Sequence, residues 1–298
     1  MFFIGTHIDP STQTAVFAVI RKTLKNVRNH YQVVDVQQAP ADQAARIAGL
    51  PHQCHQQKAV YMTPSAAKPM ICLAHRGASG HAPENTLAAF QKAVELGADW
   101  IELDVFAVEN TLVVIHDNRL ERTTNGTGYV MTSSVDYLRS LDAGNGQQIP
   151  LLPEVLELAA GKTKVNIELK GPGTAGPVAA LVEFYVKNHG RRYEDFLVSS
   201  FDHRQVKKAK ALCCPDLPVA PNLTGPPLDL DRLAAGLSPF SIHLDADFVT
   251  AELVDEIHGL GCPAFVFTAN TVEEIKRLRD MGVDGVFTNF PERVKQAG

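Results

Sequence analysis

Two carboxylates stand two residues apart in Ile101-Glu102-Leu103-Asp104-Val105, and Glu168-Leu169-Lys170 repeats the spacing with a carboxylate and a cation. In an extended strand successive side chains point to opposite faces. Glu102 and Asp104 therefore share one face, and Ile101, Leu103 and Val105 share the other. Charge within an apolar run is costly unless a metal or an ion pair offsets it. His75-Arg76 and His116-Asp117 each end a further apolar run. Charged and imidazole side chains at the ends of successive strands point to a metal-assisted phosphate site. Glu102, Asp104 and Glu168 form a hard, oxygen-only donor set suited to one divalent cation, Mg²⁺ or Ca²⁺. His75 and His116 supply a base for a nucleophile and an acid for a leaving alkoxide, with His116 read as the acid. Arg76 can grip phosphate oxygens with its planar fork, and Lys170 adds a second positive charge. Taken alone, Glu102 and Asp104 would fit a strand whose carboxylates face water equally well. The second pair, Glu168 and Lys170, tips the reading toward a site.

The elements that must hold these residues follow from the apolar runs. Runs over residues 71–74, 100–105, 112–115, 164–169, 196–199, 217–220, 241–244, 264–268 and 285–288 read as strands. Helix-like stretches over 85–96, 153–160, 177–189, 250–260 and 271–281 lie between many of them. Such alternation argues for βα units and a parallel sheet. Nine strands are one too many for an eightfold barrel. The link from Val105 to Leu112 is too short for a parallel crossover, which takes a dozen or more residues, so 112–116 must fold back as an antiparallel hairpin partner. The fold class expected is a (β/α)₈ TIM barrel over 70–298, with the charged residues at its C-terminal rim, where active sites of this fold gather. An open doubly wound sheet fits less well, because no glycine-rich fingerprint follows the first strand. A small βαβαβ module is expected over 1–66: strands at 2–4, 32–36 and 59–62, helices at 14–29 and 42–48, then a linker from Pro64 to Pro69. Its shape has a faint likeness to thioredoxin-like domains, without a Cys-x-x-Cys. His52, Cys54 and His55 read as loop residues, since no fourth ligand stands at a recognised spacing.

Composition narrows the class. The chain has 298 residues, 45% hydrophobic and 20% charged, with a net charge of −5. No basic stripe marks a nucleic-acid partner. Five cysteines, two of them adjacent, speak against a disulfide framework and for a reducing compartment. The start lacks the cationic and apolar regions of a signal peptide. The apolar run 15–20 stops at Arg21, far short of the roughly 18 residues that span a bilayer. No membrane insertion is expected, and a soluble cytoplasmic protein is. The oligomeric state is left open.

The stretch Ala74-His75-Arg76-Gly77-Ala78-Ser79-Gly80-His81-Ala82-Pro83-Glu84-Asn85-Thr86, followed by Gly97-Ala98-Asp99-Trp100-Ile101-Glu102-Leu103-Asp104-Val105, resembles the glycerophosphodiester phosphodiesterase family. Val114-Ile115-His116-Asp117, Ile167-Glu168-Leu169-Lys170, Ser199-Ser200-Phe201-Asp202, Thr268-Ala269-Asn270 and Gly282-Val283-Asp284-Gly285 continue the match in order, over residues 71 to 293. The resemblance implies a barrel that hydrolyses glycerophosphodiesters to glycerol 3-phosphate and an alcohol. It implies Glu102, Asp104 and Glu168 as metal ligands and His75 and His116 as the acid/base pair. Arg76 and Lys170 become phosphate contacts, Glu84 and Asn85 support them, and Phe201 and Asn270 belong to the substrate set. Phe267 stands where the family often has tryptophan and Asn289 where an aspartate is common. Both departures are expected to lie away from the chemistry and to shape the alcohol pocket. Thr123, Thr124, Asn125 and Tyr129 are candidate substrate contacts that fit ordinary turn roles as well. His243 is a second-rank rim candidate, His81 could reach substrate, and His203 and His258 read as exposed. A phospholipase D-like or phosphoinositide-cleaving barrel is the nearest rival, disfavoured because no membrane-binding segment is evident. A catalytically silent phosphate-binding regulatory barrel would need no acid/base pair.

Overall fold

The computed structural model describes residues 69–298 and, before them, the backbone of two three-residue strands. The chain divides into two compact units, Met1–Lys68 and Pro69–Gly298. In the first, β1 (Tyr31–Val33) pairs antiparallel with β2 (Met62–Pro64). The strand expected at 2–4, the helices at 14–29 and 42–48, and the loop with His52, Cys54 and His55 lie outside the described residues.

The second unit is built on β3 (Ile71–Ala74), β4 (Trp100–Val108), β5 (Thr111–Val114), β6 (Lys164–Leu169), β7 (Phe196–Ser200), β8 (Val219–Leu223), β9 (Ile242–Asp245), β10 (Ala264–Phe267) and β11 (Gly285–Thr288). Parallel ladders run from β4 through β6, β7, β8, β9 and β10 to β11. Pairing of β3 with both β11 and β4 closes the ring. The eight parallel strands form the expected barrel. β5 stands outside it, antiparallel to β4 with Val105 opposite Val114. Glu109 and Asn110 turn this hairpin with φ of 50° and 63°, the left-handed pair that a two-residue turn matched to strand twist requires.

Helices α1 (Leu87–Glu95), α2 (Val135–Ser140), α3 (Leu152–Ala159), α4 (Ala175–Asn188), α5 (His203–Leu212), α6 (Leu230–Leu237), α7 (Ala251–Gly259), α8 (Val272–Asp280) and α9 (Glu292–Gln296) surround the barrel. Their buried stripes, such as Phe90 and Ala93 of α1, pack in one core with the outward strand residues Ile101, Leu103 and Val105. Inside the barrel, Leu73, Trp100, Leu197, Ala220, Phe265 and Phe287 form a separate apolar plug. A third cluster joins Phe106, Val108, Val113 and Ile115 to Leu120, Val130, Leu138, Leu141 and Ile149. The segment between β4 and α3 thus carries its own small core, which seats the end of β5.

One strand lies further along than its sequence reading. The expectation of 217–220 stopped at Pro221, whose missing N–H argues against a central strand. In the structure β8 runs through it, with Ser200 opposite Pro221. That shift carries Asn222 into the barrel.

Candidate active site

A cavity of about 210 Å³ opens at the C-terminal end of the barrel. Its lining brings together His75, Arg76, Glu102, Asp104, His116, Glu168, Lys170 and Phe201 from the residues nominated above. Glu102 and Asp104 project from β4 and Glu168 from β6, in line with the period of two. One oxygen from each lies within 4.8 Å of the others.

Cations and backbone brace these carboxylates. Lys170 donates from Nζ to Glu168 Oε1 at 2.8 Å and lies 3.6 Å from Asp104 Oδ1. Arg76 Nε is 3.6 Å from Asp104 Oδ2, and Arg76 Nη1 donates to Glu84 Oε1 at 2.8 Å. The Arg76 backbone sits at φ 56°, which lets its N–H donate to Glu102 Oε2 at 2.8 Å. Gly77 follows at φ 80°, and a Cβ there would stand 2.6 Å from the Ala89 carbonyl carbon. The turn can approach α1 only as glycine. Asn85, also at φ 56°, donates from Nδ2 to Asp104 Oδ2 at 2.8 Å. Glu84 and Asn85 therefore stand behind Arg76 and Asp104 rather than on the cavity wall.

Three carboxylates face two cations here, and the imbalance shows in their protonation. Burial, then the charges of Asp104 and Glu168, push Glu102 well above the usual carboxylate range. Burial and Asp104 raise Glu168 to about 7. Burial works against Asp104 as well, but Lys170, His116 and Arg76 hold it below its ordinary value. A buried oxygen cluster with a surplus negative charge fits a divalent cation. Glu102, Asp104 and Glu168 are the residues that would hold it.

The two histidines differ in what orients them. His75 Nδ1 lies 2.8 Å from Asn289 Oδ1. An amide carbonyl only accepts, so Nδ1 carries the proton and Nε2 keeps its lone pair. Burial and the neighbouring Arg76 pull this ring down to about 4. His116 Nδ1 instead meets a carboxylate, Asp117 Oδ1, at 2.6 Å. Burial lowers His116 too, opposed by Asp104 and by the Asp117 hydrogen bond. Arg122 ties this side together, binding both Asp117 and Glu84. In both rings the bonded Nδ1 leaves Nε2 available.

Other nominated residues land elsewhere. The Asn270 side chain accepts from the Asn289 N–H and does not line the cavity. His243 is fully buried below the rim, against Phe265 and Phe287. His81 is paired with Glu292, and His258 with Asp284. His203 is not simply exposed, because its Nε2 donates to the Asn222 carbonyl. Thr124 and Asn125 spend their side chains on the backbone of Leu120 and Asp142. Asn289 corrects the expectation that it lies away from the chemistry, since it is the partner of His75. Phe267 lines the cavity, edge-on to Phe201 with ring centroids 5.6 Å apart. Asn222, Thr268 and Phe287 also line it. Neither Asn222 nor Phe287 was singled out from the sequence.

Comparison with known proteins agrees with this geometry. Residues 75–293 match the family model described as the glycerophosphoryl diester phosphodiesterase family. A glycerophosphodiester phosphodiesterase from Caldanaerobacter subterraneus subsp. tengcongensis is 35% identical over 236 residues, covering 74% of this chain and 95% of its own. One from Bacillus altitudinis is 36% identical over 240 residues, covering 74% and 94%. Among solved structures, an Oleispira antarctica phosphodiesterase in complex with the product sn-glycerol-3-phosphate superposes with a TM-score of 0.71 at 31% identity, over 76% of this chain and 96% of that one. The chain belongs to the glycerophosphoryl diester phosphodiesterase family and is an enzyme of it.

Proposed function

We propose that the enzyme cleaves glycerophosphodiesters to glycerol 3-phosphate and an alcohol, with a divalent cation, Mg²⁺ or Ca²⁺, and two histidines of opposite role. The observation that carries this reading is the unlike pairing of the histidines on one cavity. His75, held by an amide, presents a neutral Nε2. His116, held by Asp117, has a carboxylate that favours its protonated form.

In this reading the phosphodiester lies against Arg76 and Lys170, whose charges complement its own. His75 Nε2 takes a proton from the attacking O–H, that of water in direct hydrolysis, as the new P–O bond forms, and His116 Nε2–H gives a proton to the departing alkoxide as the old P–O bond breaks. A cation held by Glu102, Asp104 and Glu168 supplies Lewis-acid stabilisation of charge on the phosphoryl oxygens. Lys170 and Arg76 keep the three carboxylates together before any substrate arrives. Phe201 and Phe267 offer an apolar wall for the carbon side of glycerol or of the alcohol. The cysteines of the described residues are free, which fits a reducing, cytoplasmic setting.

The test is a panel of glycerophosphodiesters, with a lysophospholipid arm, assayed for glycerol 3-phosphate with and without chelator. Release of glycerol 3-phosphate that stops with EDTA and returns with Mg²⁺ or Ca²⁺ is the expected outcome. Unchanged turnover in excess EDTA would remove the cation from the mechanism.

A further inference from the structure

Below the cavity floor a row of buried polar side chains runs away from Glu168 into the barrel. Asn222 Nδ2 donates to Glu168 Oε2 at 3.1 Å. Asn222 Oδ1 lies 2.9 Å from His243 Nδ1, and His243 Nε2 lies 3.0 Å from Ser241 Oγ. Ser241 and His243 are fully buried and Asn222 nearly so. The amide orientation assigns the protons along it. The amide nitrogen of Asn222 faces Glu168 and its oxygen faces His243, the orientation that suits a carboxylate ionised to hold a cation. Nδ1 of His243 then carries the proton, and Nε2 accepts from the Ser241 hydroxyl.

The row is locked from two further sides. His203 Nε2 donates to the Asn222 backbone carbonyl at 3.0 Å, fixing the strand where the amide departs. Phe265 stacks on the His243 ring at 17°, and Phe287 meets it at 66°. Burial pulls His243 down to about 3, so its ring is neutral and serves as a directed dipole. Phe, Leu or Val would fill this place among aromatic rings without needing a partner. An imidazole there has to be satisfied at both nitrogens, and it is.

Glu168 needs such support more than Asp104 does. Asp104 is braced by Asn85, Arg76 and Lys170. Among the described residues, Glu168 has Lys170 on one oxygen and Asn222 on the other. Asn166, two residues earlier on β6, and Ser199, opposite it on β7, flank it, yet their side-chain polar atoms make no protein hydrogen bond. Lys170 is itself expected to turn toward phosphate. Asn222 is then the fixed donor that remains.

We propose that Asn222, His243 and Ser241 are positioning residues, a relay that holds the Glu168 carboxylate in one orientation for a divalent cation. The proposal rests on reading Glu168 as a metal ligand. Outer groups that orient metal ligands typically contribute a factor of about 10–100 in affinity. A relay that worked only as core packing would instead change the stability of the metal-free protein and leave ion affinity alone.

The experiment is calorimetric titration of Mg²⁺ and Ca²⁺ into the metal-stripped full chain, alongside His243→Phe, His243→Gln and Asn222→Leu. His243→Phe and Asn222→Leu should weaken ion binding by about 10-fold or more. His243→Gln, whose amide can donate to Asn222 and accept from Ser241, should recover most of the loss. A folded His243→Phe protein with wild-type ion affinity would overturn the relay. A wild-type protein that binds neither ion would overturn the metal reading and the relay with it, so the two failures are distinguishable. The second measurement needs no variant. In ¹⁵N NMR of the wild-type protein His243 should show a protonated Nδ1 and a bare Nε2, and the opposite tautomer would overturn the proposal whatever the variants do.

Discussion

At the scale of residues, the two histidines are the most informative pair, because similar rings are given different partners. His116→Ala should lower turnover on glycerophosphodiesters by at least about 10²-fold, the usual contribution of a positioned acid. An aryl phosphodiester, whose leaving group departs without a proton, should recover much of that loss, and a steady-state comparison of the two substrates checks it. His75 tests the opposite role through Asn289. With the ring near 4, the base is unprotonated at neutral pH, and the acid limb of kcat/KM should fall near that value. Asn289→Asp sets a carboxylate on Nδ1, stabilises the imidazolium and raises its pKa, so the acid limb should move upward. An unmoved limb would deny His75 the base role. The carboxylates give a third test. Glu168, raised to about 7 by burial and Asp104, holds a proton below that pH. A cation must displace that proton, and the one that burial favours on Glu102, so affinity for Ca²⁺ should rise with pH through about 7. Calorimetry between pH 5.5 and 8.5 reads this directly.

At the scale of elements, alternation made β4 legible. Glu102 and Asp104 on one face and three aliphatic residues on the other marked an alternating strand, and the second pair, Glu168 and Lys170, gave its polar side a purpose. The short link after Val105 likewise made the β4–β5 hairpin readable. Where two local rules conflicted, the strand moved: Pro221 argued for an end, while the parallel ladder continued through it. Asn222, just past Pro221, lay outside the strand expected at 217–220. Asn289 was underrated for a different reason. It lies one residue past β11, and only closure of the ring brings it to His75. The region after β5 was legible as turns, but its private core around Leu120, Val130 and Leu138 was not. The turn from β3 into α1 offers an element-level test. Gly77→Ala would combine an unfavourable φ with a Cβ pressed on Ala89, a strain on the order of 1–3 kcal/mol. Denaturant unfolding should show that loss, and turnover should fall with it because Arg76 and Asn85 share the turn.

At the scale of the whole molecule, the barrel followed from counting apolar runs and removing one hairpin, and the structure closes the ring as that count requires. Length and composition carried no information about the purpose of residues 1–68, since no strand-end charge pattern occurs there. The proposal that follows is that this unit is dispensable for chemistry. A truncated protein beginning at Pro69 should fold and keep the turnover of the full chain on small glycerophosphodiesters, with solution mass measured in parallel. A folded truncation that loses turnover by the factor expected of a missing acid or base would place part of the catalytic apparatus in the first unit.

The bond between His75 and Asn289 joins positions 214 residues apart, across the seam where the barrel's first and last strands meet. A ribosome delivers His75 and then, 214 residues later, its partner. Most of the cavity wall can assemble while the polypeptide is still emerging, yet the orienting contact on His75 must wait for the final βα unit. His75 is therefore unaimed until residue 289 has been made, and fragments released before it carry the histidine without that contact.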